Sequence, residues 1–450
     1  MSSLTQQLVV MLRRPISSAD RQRAAQHLLD WLGCSVLGGR SAAGEKFHAL
    51  LQSLASSGPC TALMYGDVDW QSALWLNAAV GNIEEMDDVH RTSVLHPGPV
   101  VIPAAIAAAQ RLAVSPQQLL DGIVIGYEVM IRIGQSLGAD HYRFYHNTAT
   151  CGSFGAAAAV ASLLHVTDEE FVWALGNAGS RTGGLWQMRH EAVETKQFHN
   201  ADAAVTGSLA AYAAKAGVRG PASILEGPQG LFAATSPQAN GQRVLEETVG
   251  WLMWQCSFKP WPACRHVHAT IDACRQLMLQ RPLSDIEHIE VRTYQDALAF
   301  CDRPEPQSTQ QAKFSLQHAV AVCLLHGAPQ LWHFNERCIQ DPLIKDLRNK
   351  VQVVECAEFQ RVYPNHYGAS VRVIYADGDG VATSVSDAWG DPEAPLSQTE
   401  IVDKADTLMS AAGLSESQRQ QLISATLALP EANSMSSWLQ QWPTHTGGLA

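Results

Sequence analysis

The stretch GSFGAAAAVASLL, residues 152–164, decides the fold class, because almost all of its side chains are small or apolar. A second stretch of the same kind, ADAAVTGSLAAYAAKAG, covers residues 201–217. Small side chains let the axes of neighbouring helices approach closely. We therefore expect both stretches to be helices that are buried in a bundle.

Helix signals surround these two stretches through the first 250 residues. Ser17 or Ser18 can cap a helix with one apolar face, and Ser115 is a cap followed by proline at the first helical position. Residues 167–170, TDEE, form a capping box, and residues 69–86 are a further candidate helix. This part of the chain therefore predicts an all-α domain.

The periodicity changes to that of strands after about residue 257. Residues 288–294 alternate apolar and polar side chains, and the apolar runs 371–374 and 381–385 flank the hairpin signal ADGDG. A chain of 450 residues is also too long for one compact core. The expected fold is mainly α, a large helical bundle with an inserted α+β lid. The predicted domains are a helical domain over 1–256, the lid over 257–392, and C-terminal helices over 393–450 that rejoin the helical domain.

Charge and cysteine usage restrict the class of protein. A formal net charge of -12 argues against nucleic acid as a partner, although it leaves room for an anionic small molecule in a locally cationic cleft. The ten cysteines are scattered without a CxxC motif, which is typical of buried free thiols in a reducing compartment. No signal peptide and no apolar run long enough to span a bilayer is seen, so we expect a cytoplasmic protein without a membrane partner.

Acids and imidazoles are concentrated in residues 84–97, EEMDDVHRTSVLHP, which we call the acidic loop. Carboxylates and imidazoles together can remove and return protons, so Asp87, Asp88, His90 and His96 are candidate catalytic residues. The alternative is a solvated loop between helices. The spacing of one Asp-x-His pair would also permit a metal ligand, but it falls short of a full ligand set, so we predict no metal site.

Two further candidates precede the small-residue stretches. His146 stands just before the first, where the N-terminus of a helix favours an anion, with Tyr145 beside it. Lys196 stands just before the second and can pair with a substrate carboxylate. The alternatives are a capping or surface histidine and a solvated lysine.

The segment FKPWPACRHVH, residues 258–268, lies at the predicted boundary between domains. Prolines and an aromatic ring stiffen it, while Lys259, Arg265 and His268 supply cationic or titratable groups. Clefts between domains are favoured ligand sites, and arginine suits a carboxylate. The alternative is a stiff hinge that carries surface charges.

Missing motifs narrow the chemistry. The sequence has no GxGxxG, GxxxxGK[ST], HExxH or GxSxG motif, so nucleotide-binding, zinc-peptidase and serine-hydrolase functions are not indicated. We therefore expect a site of His, Lys, Arg and Asp without a cofactor. Such a set suits abstraction of a proton next to a carboxylate, where cations hold the anion and stabilise the developing enolate.

Four segments, in this order, resemble the MmgE/PrpD family, which includes 2-methylcitrate dehydratase, cis-aconitate decarboxylase and iminodisuccinate epimerase. They cover most of residues 75–325 and are MDDVHRTSVLHPGPVVIPAAIA, HNTATCGSFGAAAA, TKQFHNADAAVTGSLAA with SILEGPQGLF, and FKPWPACRHVHATIDA followed by AKFSLQHAVAV. The resemblance implies a helical domain with an α+β lid, a homodimer and an active site between the domains. The positions that match the family's functional side chains are Asp87, Asp88, His96, His146, Lys196 and Lys259.

Some positions depart from the decarboxylase pattern. His90 belongs to a DDVH form of the loop, Cys264 replaces a histidine, and His318 stands where the decarboxylase carries tyrosine, which makes His318 a substrate-binding candidate. Residues 200–202 replace a glycine-containing stretch. These departures count against decarboxylation of cis-aconitate.

The leading hypothesis is a hydro-lyase acting on a small hydroxy di- or tricarboxylate such as a 2-methylcitrate-like acid. A protonated His146 or His96 would help hydroxide leave. The nearest alternative is an epimerase of a dicarboxylate, which returns the proton to the opposite face. A decarboxylase and a non-catalytic scaffold protein are the remaining alternatives.

Overall fold

A computed structural model describes residues 2–191, 193–279 and 281–443 of the chain. By its internal contacts the chain divides into two compact units, Met1–Cys256 with Ser397–Ala450, and Ser257–Leu396. Over the described residues there are 21 α-helices and eight short strands, so the prediction of a mainly α fold is confirmed. The second unit extends past the predicted end at residue 392.

The first unit is built almost entirely from helices, with three short strands. Its strands are β1 (Cys60–Ala62), β2 (Gly66–Val68) and β3 (Val89–His90), and β4 (Cys256–Ser257) stands at its boundary. Its helices are α1 (Leu4–Met11), α2 (Ser18–Arg40), α3 (Ala42–Leu54), α4 (Trp70–Val80), α5 (Gly98–Leu112), α6 (Pro116–Ser136), α7 (Ala139–Phe144), α8 (Asn147–Leu163), α9 (Asp168–Gly179), α10 (Thr195–Lys215), α11 (Leu231–Thr235), α19 (Gln398–Ala411), α20 (Glu416–Leu427) and α21 (Ser436–Leu439).

The second unit combines a small sheet with helices. Its four strands lie in the order β6-β5-β7-β8, with β5 and β6 parallel and the other two pairs antiparallel. The predicted hairpin is the β7–β8 pair. The strands are β5 (Ile286–Thr293), β6 (Val351–Glu355), β7 (Ala369–Tyr375) and β8 (Gly380–Val385), and the helices are α12 (Arg265–Gln276), α13 (Gln295–Cys301), α14 (Thr309–Lys313), α15 (Leu316–His326), α16 (Glu336–Gln340), α17 (Pro342–Asn349) and α18 (Ala357–Val362).

The two small-residue stretches form α8 and α10, so the prediction that both are helical is confirmed. These two helices pack directly against each other. At Gly207 a Cβ atom would lie 2.2 Å from the carbonyl oxygen of Ser153, so only glycine fits at this contact. At Gly152 a Cβ atom would lie 3.2 Å from the Cβ of Ala203 and 3.0 Å from Val100 of α5. The close approach of these helices therefore depends on their small side chains.

The helices α5, α8 and α10 run in the same direction. His146 lies beside His199 near the start of α8 and α10, and further along both helices Gly152 lies beside Ala203. Just before α5, the backbone N–H of His96 donates to the hydroxyl of Thr148, at a distance of 3.1 Å. Their N-terminal ends therefore lie on one side of the bundle.

The helix predicted over residues 69–86 is shorter in the structure. The helix α4 ends at Val80, and the chain then passes through turns to the acidic loop. Glu85 has a left-handed backbone conformation with a φ of 57°, which a continuing helix does not allow. This turn separates α4 from Asp87 and the candidate catalytic residues that follow it.

Two other expectations concern thiols and membranes. All ten cysteines are free, and nine of them are buried, as the scattered pattern predicts. Among the described residues, none of the helices combines the length and the apolar character that crossing a membrane requires.

Candidate active site

The acidic loop is buried, not solvated. It folds back on itself, with the N–H of His90 donating to the carbonyl oxygen of Leu95 at 2.9 Å. Asp87 and Asp88 are 1% and 2% exposed, respectively. Burying two adjacent carboxylates is unfavourable unless each is hydrogen-bonded or paired, so their partners show what each one does.

Asp88 is held by groups of three helices. One carboxylate oxygen accepts a hydrogen bond from the Tyr127 hydroxyl at 2.7 Å and lies 2.6 Å from Nδ1 of His27. The other accepts the backbone N–H of Gly98, the first residue of α5, at 3.0 Å. A Cβ atom at Gly98 would lie 2.7 Å from this oxygen, so the glycine makes room for the carboxylate. Asp88 thus fixes the start of α5 against α2 and α6.

Asp87 faces a different group. Its Oδ2 atom lies 2.9 Å from Nδ1 of His96, whose side chain is 15% exposed. The amide of Asn82 donates to the other oxygen. The carbonyl oxygen of Asp88 also lies 3.0 Å from the same ring nitrogen of His96. Because Nδ1 is occupied, the Nε2 atom is the one left for a reacting molecule.

His146 occupies the N-cap position of α8 and is buried. Its ring lies 4.6 Å from the ring of Trp186, and its Nδ1 atom is 3.3 Å from Nδ1 of His199. Burial sets the pKa of His146 well below the usual value, and the nearby Lys196 cation, His199 and His96 lower it further. His146 is therefore a neutral imidazole at neutral pH.

Lys196 lies in the first turn of α10 and is mostly buried. Its ammonium group forms an ion pair with the carboxylate of Glu85, whose side chain is 2% exposed. The left-handed turn at Glu85 brings that carboxylate to α10 from the loop that follows α4. The pair fixes the ammonium group of Lys196 near His146, at the N-terminal ends of α8 and α10.

Together these groups form what we call the imidazole cluster, located where the parallel helices α8 and α10 begin. Backbone N–H groups and the positive ends of the helix dipoles point to this side, which favours a bound anion. The members are Asp87, His96, His146, Lys196 and His199. Of the six predicted catalytic residues, the structure thus brings four together, with Asp88 and His90 directed elsewhere.

His90 is a buried part of the loop itself. Its Nδ1 atom lies 2.8 Å from the hydroxyl of Ser93, and Gln255 also hydrogen-bonds to the ring. Burial lowers the pKa of His90 to about 3, so the ring is neutral. These contacts support the hairpin shape of the loop and do not place the imidazole in the cluster.

Tyr145 is half-buried and stacks on His141, with ring centroids 4.9 Å apart. It also forms a backbone bridge with Leu185. This bridge joins the segment before α8 to the segment that carries Trp186. The bridge therefore helps to position the Trp186 ring against His146.

The remaining predicted binding residues belong to the second unit, and all are buried there. Arg265 forms an ion pair with Asp391. His268 and His318 each place Nε2 near a backbone carbonyl oxygen, at 3.0 Å and 2.8 Å, and burial lowers the pKa of His318 to about 4. Lys259 is fully buried. Their roles in substrate binding stay predictions.

The comparison with known protein families decides the relationship. Residues 9–243 match the profile of the MmgE/PrpD N-terminal domain, and residues 261–429 match that of the MmgE/PrpD C-terminal domain. The chain belongs to the MmgE/PrpD family. The family resemblance inferred from the four sequence segments is thereby confirmed.

Several enzymes are similar to this MmgE/PrpD protein over much of its length. The cis-aconitate decarboxylase of Aspergillus terreus is 26% identical, covering 93% of this chain and 91% of the relative. The human cis-aconitate decarboxylase is 28% identical, with 85% and 82% covered. The 2-methylcitrate dehydratase of Escherichia coli K12 is 25% identical over 57% of this chain and 54% of its own length.

A buried ion pair links the C-terminal helices of this MmgE/PrpD protein to the acidic loop. Lys404 of α19 pairs with Asp30 of α2 and also donates to the carbonyl oxygen of Met86, the residue before Asp87. Burial raises the pKa of Asp30 to about 6, although the Lys404 cation opposes the shift. Helix α19 thus anchors the acidic loop at Met86, directly before Asp87.

Sequence reasoning missed several of these residues. His199 follows Lys196 by three positions, so helical spacing puts the two on neighbouring parts of one face, and this signal was available. Glu85 belongs to the acidic loop but was not singled out. His27 and Lys404 gave no local signal, because their partners lie far away in the chain.

Proposed function

We propose that this MmgE/PrpD protein is a lyase that acts on a small di- or tricarboxylic acid by side-chain acid–base chemistry. One observation carries the proposal, namely the imidazole cluster at the N-terminal ends of two parallel helices. Lysine and helix N-termini attract carboxylates, while neutral and carboxylate-paired imidazoles exchange protons. The relatives, named for their action on cis-aconitate and 2-methylcitrate, support a substrate of this class.

Dehydration is the reaction that we favour. It needs one group to take a proton from carbon and another to protonate the departing hydroxide, and the cluster offers two such imidazoles. Neutral His146 takes the proton alpha to a carboxylate, and the C–H electron pair forms the new double bond as the C–O bond breaks. His96, with Asp87 at 2.9 Å to balance a positive charge, gives its proton to the hydroxide, which leaves as water.

In this scheme Lys196 keeps its ion pair with Glu85 and uses another of its three N–H donors to hold the carboxylate next to the reacting carbon. It also stabilises the charge that develops there. His146 acts here as a neutral base and not as the protonated acid expected from the sequence, because burial and the nearby Lys196 cation both lower its pKa. His96 therefore takes the role of the acid, and His146 that of the base.

Decarboxylation is the second candidate, favoured by relatives that match over most of their length. There a C–C bond breaks, carbon dioxide leaves, and the electron pair stays on carbon until His96 protonates it. Only one proton donor is required, so this reaction would leave His146 without a chemical task. The relatives named above give no support to the alternative of an epimerase.

A direct substrate test distinguishes these reactions. The purified protein is incubated with citrate, 2-methylcitrate and cis-aconitate in deuterated water and followed by proton NMR, with released carbon dioxide trapped separately. We expect loss of water from a hydroxy acid to give an alkene. Carbon dioxide from cis-aconitate would assign the decarboxylase instead. If none of the acids reacts or raises the melting temperature, the proposed function is wrong.

A further inference from the structure

Asn200 is a buried polar residue that the proposed mechanism does not use. It lies in α10 and is 1% exposed. Within the described part of the chain, neither its amide nitrogen nor its carbonyl oxygen has a hydrogen-bond partner. Buried amides are nearly always hydrogen-bonded, because leaving them without partners is costly. This side chain therefore points to an interaction with something other than the chain's own polar groups.

The position of Asn200 connects it with the imidazole cluster. It follows Lys196 by four residues, so the two lie on the same face of α10, one turn apart. Its neighbour His199 contacts His146. One turn further on, Ala203 is at the close contact with Gly152 of α8. Along α10, Asn200 thus lies between the imidazole cluster and the close contact of Ala203 with Gly152 of α8.

We propose that Asn200 is a specificity-determining residue that hydrogen-bonds the substrate, an inference that rests on the proposed function. An amide offers two donors and one acceptor at the same position. Its NH₂ group donates to a carboxylate oxygen of the substrate, and its carbonyl oxygen accepts from a hydroxyl group. This combination fits a hydroxy acid better than an unsaturated acid, which lacks the hydroxyl.

The test compares Asn200→Ala with a matched control, Ser208→Ala. Ser208 lies on the same helix, is also 1% exposed and likewise has no side-chain partner among the described residues. It is about 18 Å along the helix axis from Lys196, whereas Asn200 is about 6 Å away. Each variant is purified as the full chain, and its rates are measured with the hydroxy acid that the unmodified protein converts.

We expect Asn200→Ala to raise KM about tenfold, which is the size of effect of one lost buried hydrogen bond. Ser208→Ala should leave KM within twofold. Asn200→Asp should weaken binding more than alanine at neutral pH, because a second anion then faces the substrate carboxylate. At the same concentration of hydroxy acid, the increase in melting temperature should be smaller in Asn200→Ala than in the unmodified protein.

The outcomes separate this inference from the proposed function. If KM stays within twofold in Asn200→Ala while Lys196→Ala abolishes turnover, Asn200 has only a structural role and the lyase proposal stands. If neither substitution affects turnover, both proposals fail. Should Asn200→Ala not fold, Asn200→Ser is measured in its place. The serine hydroxyl keeps part of the hydrogen bonding, so a smaller rise of KM is expected, and an unchanged KM would overturn the inference.

Discussion

Asp87 and Asp88 are neighbours in the chain, and both are buried, but they lie in opposite surroundings. Three groups from helices surround the carboxylate of Asp88, whereas that of Asp87 faces the partly exposed ring of His96. The acidic loop therefore has a structural side and a reactive side. The residue type alone does not tell them apart, because a carboxylate's role follows from what surrounds it.

The largest effect is expected from the reactive side. Asp87 balances the positive charge on His96 in the proposed reaction, so Asp87→Asn should impair His96 as the acid. We expect kcat to fall by about 10²–10⁴-fold, the usual contribution of a general acid–base group, while the melting temperature changes little. Steady-state rates and circular dichroism melting test this, with exposed Asp403→Asn as the control. Wild-type turnover in Asp87→Asn would remove this carboxylate from the reactive side.

The structural side should respond in stability. Asp88→Asn should lower the free energy of unfolding by about 3 kcal/mol, because hydrogen bonds to a charged group are worth about 1.5–3 kcal/mol each and the amide retains only some of them. Urea denaturation measures it. A variant that keeps its stability but loses turnover would place both carboxylates on the reactive side.

A smaller loss of stability is expected when the ion pair of Lys404 with Asp30 is removed. Lys404→Met should destabilise the protein by about 2 kcal/mol, since Asp30 can take up a proton and escape the full cost of an unpaired buried charge. Adding Asp30→Asn should recover most of the loss in a double-mutant cycle. If the two changes are simply additive, Lys404 and Asp30 are not energetically coupled and the ion pair does not contribute to stability.

The smallest effect concerns the protonation of His146. Because its pKa lies well below the ordinary value, lowering the pH from 8 to 6 should leave its ring signals in NMR at the positions of the neutral form. In Lys196→Met the pKa should rise, since a nearby cation is gone. Titration of the unmodified His146 near pH 6.5 would assign it the role of an acid and reverse the proposed roles.

The sequence was sufficient for features that are encoded locally. Alternating periods and caps predicted the helical bundle and the β7–β8 hairpin, and a helix start marked by His146 or Lys196 could be read from neighbouring residues. Partnerships across the chain could not be predicted. Asp30 and Lys404 are 374 positions apart. The sequence around Asp88 likewise does not indicate that His27 and Tyr127 are its partners. His90 shows the reverse error, because a titratable residue in a promising motif turned out to support the loop.

The contact of Lys404 with Asp30 and Met86 has a consequence for biosynthesis. A chain emerges from the ribosome N-terminus first, and domains generally fold as they appear. Both α2 and the acidic loop are made early, but Lys404 follows only after the whole of the second unit. Until then the Asp30 carboxyl lacks its cation. We therefore expect the reactive loop to reach its final packing late in synthesis, and a ribosome-stalled chain that ends before α19 should lack the Lys404 contacts to Asp30 and Met86.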